Sequence, residues 1–315
     1  MPRLATNSGS KLLRGMTQNL LPEGNTSARQ ARLVPRLMGG LGNQLFIYSA
    51  ALQFAHRLNA FLMLDIASGF DRDFTYRREY LLDQFAITDP CAAPSECFLG
   101  LRGRLLRGVM LKADRAGLAG NRWTFIDESS LIVRVGAQKF YLDGYWQSEN
   151  NFLNVDELVR QKFRSRESLP AATKDELSQI RGQMEPVAVC IRRGADRAYQ
   201  GQGLDTDLDF YQAALRQLAL LHPRSHVFVF TDNPEWAKEH FRCALPHTFV
   251  SHKLGNRRAY EDLALMSACR HFVIGNSTFH WWGAWLGERV GSQIIVPKRF
   301  AEAYPNFYPK RWQRI

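Results

Sequence analysis

Cysteine is scarce in this 315-residue chain: the five present, Cys91, Cys97, Cys190, Cys243 and Cys269, are odd in number and form no CxxC pair. A disulfide framework or a four-cysteine zinc site is therefore excluded as the organising element, and a reducing compartment fits best. No apolar run approaches the roughly 18–20 residues that cross a bilayer, and the opening MPRLATNSGSKLLRGM lacks the apolar centre of a secretory signal. HExxH, GxSxG and P-loop GKS/GKT stretches are missing as well. Acidic residues are in the minority, 30 against 41 Lys+Arg, and the resulting charge of +11 favours phosphorylated or otherwise anionic partners. These absences predict a soluble cytoplasmic protein. With 45% hydrophobic and 12% aromatic residues, the chain has ample material for a core.

Residues 1–31 are rich in Ser, Asn, Gly, Thr and Arg and read as a mobile tail. Folding is expected to start at Arg32. RLVPRLM has strand character, weakened by Pro35, and runs into the turn Gly39, Gly40, Gly42, after which Leu45, Tyr48, Leu52 and Ala55 recur at helical spacing. FLMLD, 61–65, reads as a short buried strand ending in a carboxylate. Residues 98–122 alternate arginines and a lysine with leucines and glycines; this is a solvated basic helix or a surface for anionic lipid or glycan. The charged, breaker-rich stretch near 165–175 reads as a linker between two domains, 32–170 and 171–315. Beyond it VAVCI, HVFVF, HFVI and QIIVP each precede a polar loop, and helical segments lie between them. That grammar specifies a parallel sheet covered on both faces, with ligands at the carboxyl ends of its strands.

Several constellations fall at those strand ends. Gly39, Gly40 and Gly42, followed by Asn43 and Gln44, form either a tight strand-to-helix turn or a loop that admits a phosphate or sugar. Arg192 and Arg193 follow a buried strand directly, so their side chains point to opposite faces; one is expected to face the cleft and the other to pair elsewhere. A guanidinium in that place would clamp a diphosphate, and the competing reading is a structural ion pair. Asn276, Ser277 and Thr278 lie between a strand and a helix, where one hydroxyl would cap the helix and three polar side chains would cradle a pyrophosphate. Asp262 is either a helix cap or an acceptor for the N1 and N2 donors of guanine. The pairs Asp71/Asp73 and Asp205/Asp207 have the bare DxD spacing of cation-binding transferases, but neither ends an apolar strand, so no metal site is expected. Trp281, Trp282 and Trp285 read as core.

The segments GGLGNQLFIYSAALQFA (39–55), FLMLDI (61–66), YLDGYWQSENNF (141–152), IRRG (191–194), VFVFTDNPEW (227–236) and DLALMSACRHFVIGNSTFHWWGAWLG (262–287) together resemble glycosyltransferase family 11, the α1,2-fucosyltransferases. The resemblance implies an α/β fold of GT-B type, two Rossmann-like domains with a cleft between them. It further implies GDP-fucose as donor, inversion at the sugar carbon, no cofactor and no obligatory metal. The expected acceptor is a galactose-terminated oligosaccharide or glycolipid, and the basic segment 98–122 leaves room for peripheral contact with the inner face of the membrane. Arg192 and Asn43 are expected to stabilise the leaving phosphate, and Asp196, Asp205 and Asp207 are the candidates for the base that takes the acceptor proton. Gly39, Gly40, Gly42, Gln44, Cys190, Arg193, Asp262, Asn276, Ser277 and Thr278 are expected around the donor. The chain departs from the family's HxRR pattern, since Cys190 replaces the histidine and Ala195 stands where an aspartate is expected, with Asp196 one residue later.

Two other classes fit parts of the sequence. A dinucleotide-dependent oxidoreductase would use the glycine loop with Asp65 as ribose ligand, but Leu45 occupies the place of the third glycine. A binder of RNA or an anionic surface would rely on the +11 charge. Against it, the aromatics lie in apolar runs rather than among the basic residues, and no nucleic-acid partner is expected.

Overall fold

Short apolar runs, buried on both faces, build two separate parallel sheets. In the computed structural model, which describes residues 30–118, 123–128, 137–193, 207–250 and 256–315, the first sheet contains β1 (Arg32–Pro35), β2 (Phe61–Leu62), β3 (Thr124–Asp127) and β4 (Lys139–Asp143), in the order β2-β1-β4-β3. The second contains β5 (Pro186–Ile191), β6 (His226–Thr231), β7 (His247–Phe249), β8 (His271–Ile274), β9 (Ile294–Val296) and β10 (Gln313–Arg314), in the order β10-β9-β8-β5-β6-β7. Every pairing in both sheets is parallel. This is the expected α/β arrangement of GT-B type. The tail expected over residues 1–31 lies almost wholly outside the described residues.

Pro35 closes β1 rather than opening it. Arg32 and Arg36 donate their N–H groups to the β4 side, so the odd-numbered positions face β2. Proline has no N–H to offer there, and the β1–β2 ladder ends at Leu62 before a single bridge resumes at Arg36 and Asp65. The sequence turns this interruption into the start of the glycine loop.

Strand alternation in the second sheet sorts side chains onto two faces. Val187, Val189 and Ile191 of β5 pack with Tyr211, Leu215 and Leu218 on one face. Ala188 and Cys190 pack on the other face, in a core that also takes in Leu33, Phe46, Trp281 and Trp282 and so runs continuously between the sheets. The helix Leu41–Leu58 after β1 and the helix Thr278–Gly287 after β8 meet in this core. Trp281 and Trp282 are fully buried, with Phe46 ring centroids 4.6 and 4.9 Å away. Trp285 is also buried, 5.3 Å from Phe152, which makes all three tryptophans core residues as read from their spacing.

Arg160 and Arg311 fasten the outer rim of this junction. Arg160 donates to the carbonyls of Trp285 and Leu286, both at 2.9 Å, and lies over the Trp285 ring at 4.0 Å. It thereby satisfies carbonyls that the end of the helix Thr278–Gly287 leaves without intrahelical donors. Arg311 bridges Glu149 and Glu288, each with N···O distances near 2.7 Å.

Candidate functional site

The order of the second sheet reverses at β5 and β8, so the loops leaving those strands diverge and open a crevice. Arg192 leaves β5, and the segment Asn276 to Thr278 leaves β8. Opposite them, the glycine loop leaves β1 of the first sheet. The resulting cleft, about 290 Å³, is lined by Gly40, Gly42, Asn43, Arg192, Asp262 and Thr278 among others. A second cavity of about 420 Å³ lies on the first-sheet side and shares Gly40, Asn43 and Arg78 with the cleft.

Two helix amino ends converge here. Gly40 is the N-cap of the helix Leu41–Leu58, and Ser277 is the N-cap of Thr278–Gly287. A Cβ on Gly42 would stand 2.5 Å from the Phe279 nitrogen and 2.6 Å from the Thr278 carbonyl carbon, a separation that real Cβ atoms do not show. Glycine at 42 therefore serves the approach of one helix start to the other, and the indole of Trp282 reinforces it by donating to the Gly42 carbonyl at 3.0 Å. Gly39 has φ +76°, a left-handed conformation that a side chain would strain. With both helix starts unoccupied by acidic side chains, their N–H groups leave a region of positive potential suited to an anion.

The individual residues distribute unevenly. Asn43 borders both cavities; its Oδ1 accepts from Gln147 Nε2 at 2.9 Å, which turns its amide N–H₂ away from that contact as a donor. Gln44, by contrast, is fully buried: it donates to the carbonyls of Gly39 and Glu79 and accepts from Leu81 N, all within 2.9 Å. It staples the glycine loop to residues 79–81 and has no group left for a ligand. Cys190 is likewise buried, its Sγ 3.5 Å from Met266 Sδ, and burial holds its thiol well above the usual range. It packs the core rather than the cleft.

Arg192 and Arg193 do face opposite ways. Arg192 lines the cleft, whereas Arg193 stacks 4.2 Å over the Trp236 ring while its N–H bonds Asp232 at 2.7 Å. Asp262 lines the cleft from the first turns of the helix Ala259–Ala268, whose N-cap is Arg258, so the helix-cap reading of Asp262 falls. Of the NST segment Thr278 borders the cleft; Ser277 occupies the N-cap position, yet its hydroxyl makes no cap bond. Asn276 and Ser277 are not among the lining residues. Asp196 and Asp205 lie outside the described residues.

Carboxylates that looked ligand-like are committed to the backbone. Asp73 accepts from Tyr76 N and Arg78 N, both at 3.0 Å, and Asp71 accepts from Gly100 N. Asp207 caps the helix Leu208–Leu221 through Phe210 N at 2.9 Å. Asp65, the ribose ligand of the oxidoreductase reading, is fully buried and accepts from Ala67 N, Ser68 N, Ser68 Oγ and the Tyr141 hydroxyl. That network removes it from any ribose.

Glu185, His222 and His271 place ligand-type atoms within 4.8 Å of one another, at the amino ends of β5 and β8 and thus away from the cleft. Gln293 N donates to His271 Nδ1 at 3.0 Å, so the neutral ring carries its proton on Nε2. His271 Nε2 is buried and has no hydrogen-bond partner among the described residues.

Sequence reasoning missed three cleft residues. Arg78 borders both cavities from the loop that Asp73 and Gln44 hold in place; nothing in its local sequence marks it. Asp232 is legible only as the residue after β6. His280 sits in an aromatic run, is buried, borders the cleft and leaves Nδ1 without a hydrogen bond among the described residues. Burial, with a smaller contribution from the Arg192 charge, lowers its pKa to about 3. Burial also lowers that of His271 to about 4.

Both histidines fold neutral. Above pH 6.5, the ordinary value, neither state of the chain protonates them appreciably. As pH falls below it the unfolded chain takes up protons that the folded chain refuses, so stability declines by up to about 1.4 kcal/mol per pH unit for each histidine. Melting temperature is expected to drop between about pH 6.5 and 5, ahead of the carboxylates. A flat profile there, or one unchanged in His271→Gln/His280→Gln, contradicts the assignment.

Known proteins share this architecture and sequence. Over 294 residues the chain is 29% identical to the Alpha-1,2-colitosyltransferase of Escherichia coli, covering 90% of this chain and 98% of that protein. It is 27% identical over 289 residues to the O-antigen biosynthesis glycosyltransferase WbnK of Escherichia coli, covering 84% and 93%. Among solved structures, a point mutant of Arabidopsis thaliana FUT1 in complex with GDP superposes with a TM-score of 0.51 at 12% identity, covering 93% of this chain and 74% of that one, a likeness of fold. Residues 125–315 match the profile of Glycosyl transferase family 11, a span that begins in the first sheet and includes the whole of the second. With more than half of its length matched and Arg192, Asp262 and Thr278 inside the matched part, the chain belongs to glycosyl transferase family 11.

Proposed function

We propose that this glycosyltransferase moves L-fucose from GDP-β-L-fucose to a hydroxyl, O2, of a galactose-containing glycan, with inversion at the anomeric carbon. The observation that carries the reading is the convergence of two helix amino ends with Arg192, Arg78 and Asp262 around one cleft. The helix ends and guanidiniums suit a diphosphate, and the carboxylate suits the N1 and N2 donors of guanine. The larger cavity would hold the acceptor, making residues 32–170 the acceptor side and 171–315 the donor side.

In this mechanism the acceptor hydroxyl attacks the anomeric carbon on the face opposite the departing GDP. The bond from that carbon to the β-phosphate oxygen breaks, and the developing sugar cation and phosphate charge share the barrier. Arg192 stabilises the leaving oxygen, Asn43 directs its amide N–H₂ toward the sugar phosphate, and the acceptor proton passes to a carboxylate for which Asp196 is the first candidate. Positive protein groups replace a cation on the diphosphate, so the reaction needs no metal.

The donor sugar has one competitor. The colitosyltransferase relative is named for a sugar that lacks one ring hydroxyl of fucose, so GDP-fucose and GDP-colitose are tested side by side with a panel of β-galactosides, products read by mass spectrometry. Transfer of fucose supports the reading; transfer of colitose alone corrects the sugar, and transfer of neither rejects both.

The nucleotide is tested separately. GDP is expected to bind more tightly than ADP or UDP by calorimetry. Asp262→Asn should lose about ten- to a hundred-fold of that preference, since the amide faces one guanine donor with another donor. An unchanged preference in the variant returns Asp262 to a structural role.

A further inference from the structure

The helix Gly100–Arg115 carries apolar side chains on its outer face as well as on its packing face. Its inner face is held by Met110 and Leu111, which pack on the cluster of Val34, Trp123, Phe125 and Tyr141. The same side carries polar anchors: Arg107 pairs with Asp143, and Asp114 accepts from Phe125 N at 2.9 Å. The outer face, which should be polar in water, instead presents Leu101, Leu105 and Val109 at four-residue spacing, 57, 62 and 64% exposed. Leu106 stands beside them, 53% exposed.

The charges on that face all have one sign. Arg102 and Lys112 are interspersed with the apolar row, Arg104 and Arg115 flank it, and the helix's single acid is the inward-facing Asp114. Apolar side chains ringed by cations, of which Arg115 alone is seen paired, with Asp127 at 2.6 Å among the described residues, match the boundary between the acyl chains and anionic headgroups of a bilayer. A solvated helix has no use for the leucines, and a neutral protein partner has none for the cations. No described helix is long and apolar enough to cross a membrane, so contact through this face would be peripheral.

We infer that the helix Gly100–Arg115 docks this protein on an anionic lipid surface, with Leu101, Leu105 and Val109 entering the headgroup layer. Gly100, Arg104 and Arg107 of the same helix border the larger cavity. Docking therefore sets that cavity at the membrane surface, within reach of a glycan carried on a lipid. The inference does not depend on which sugar or nucleotide the cleft takes.

Co-sedimentation of the full chain with unilamellar vesicles tests it, comparing pure phosphatidylcholine with an equimolar mixture of phosphatidylcholine and phosphatidylglycerol. Binding to the anionic vesicles is expected to exceed that to the neutral ones by about ten-fold or more and to weaken as salt rises. Leu105→Glu/Val109→Glu should abolish it while melting temperature stays unchanged, because both side chains are exposed. Arg102→Glu/Lys112→Glu, an independent pair, should remove the preference for anionic lipid. Absence of binding by the unaltered chain, or equal binding by both variants, overturns the inference. So does self-association without lipid that Leu105→Glu/Val109→Glu dissolves, since the face would then be occupied by a second copy.

Discussion

Arg192→Ala is expected to lower kcat by about 10² to 10³ with little change in melting temperature, because one preorganised donor to a developing oxyanion contributes about 3–4 kcal/mol to the transition state. The side chain lines the cleft and lies outside the packed core, which separates chemistry from folding. Arg193→Ala supplies the internal control. Its guanidinium rests on Trp236, so removing it costs a surface cation–π contact of about 0.5–1 kcal/mol and should leave turnover within a few-fold of normal. Steady-state kinetics of the two variants decide the matter: near-normal turnover in a folded Arg192→Ala, or a larger loss in Arg193→Ala, assigns the wrong arginine to the diphosphate.

The largest loss of stability is expected from Trp282→Ala. The indole is fully buried, stacks on Phe152 at 5.3 Å, meets Phe46 and Phe163, and donates to the Gly42 carbonyl. Removing it opens a cavity where the two sheets share a core, for which about 3–5 kcal/mol is typical. Leu220→Ala, at an 84% exposed position, should change stability by less than about 0.5 kcal/mol. Urea unfolding followed by circular dichroism measures both. A loss below about 1 kcal/mol in Trp282→Ala would mean that the junction repacks and is less rigid than its aromatic contacts indicate.

Much of this architecture was legible because it follows from periodicity. The apolar runs of the second half fixed β5, β6, β8 and β9, and the rule that ligands collect at strand carboxyl ends placed Arg192 and Thr278 near one another. The alternation of side chains along a strand separated Arg192 from Arg193. What spacing could not show was the partner each polar side chain meets. Gln44 resembles a ligand until its amide is seen closing on the carbonyls of Gly39 and Glu79, and the latter is 35 residues away in sequence. Asp71 and Asp73 have cation-binding spacing, but backbone amides bond both oxygens of Asp73 and one of Asp71. Arg78 was invisible for the complementary reason: its position is set by Asp73 and the Gln44 staple, not by any pattern around itself. Cys190 illustrates a third limit, since the parity of a strand residue says which face it joins but not whether that face is cleft or core.

The close backbone contact between Gly42 and the Thr278–Phe279 peptide has the geometry of a fulcrum. If the two sheets rock relative to each other, displacement is smallest at this contact and grows with distance from it, as along a pair of levers. The cleft lies at the pivot, bordered by Gly42 and Thr278 themselves, whereas the far wall of the larger cavity, at Arg104 and Arg107, lies out along one arm. Rocking would therefore leave Arg192 and the two helix starts nearly in register and alter the outer cavity most. Substitutions at the pivot should disturb both substrates together, while changes along the arm should be felt by the acceptor alone.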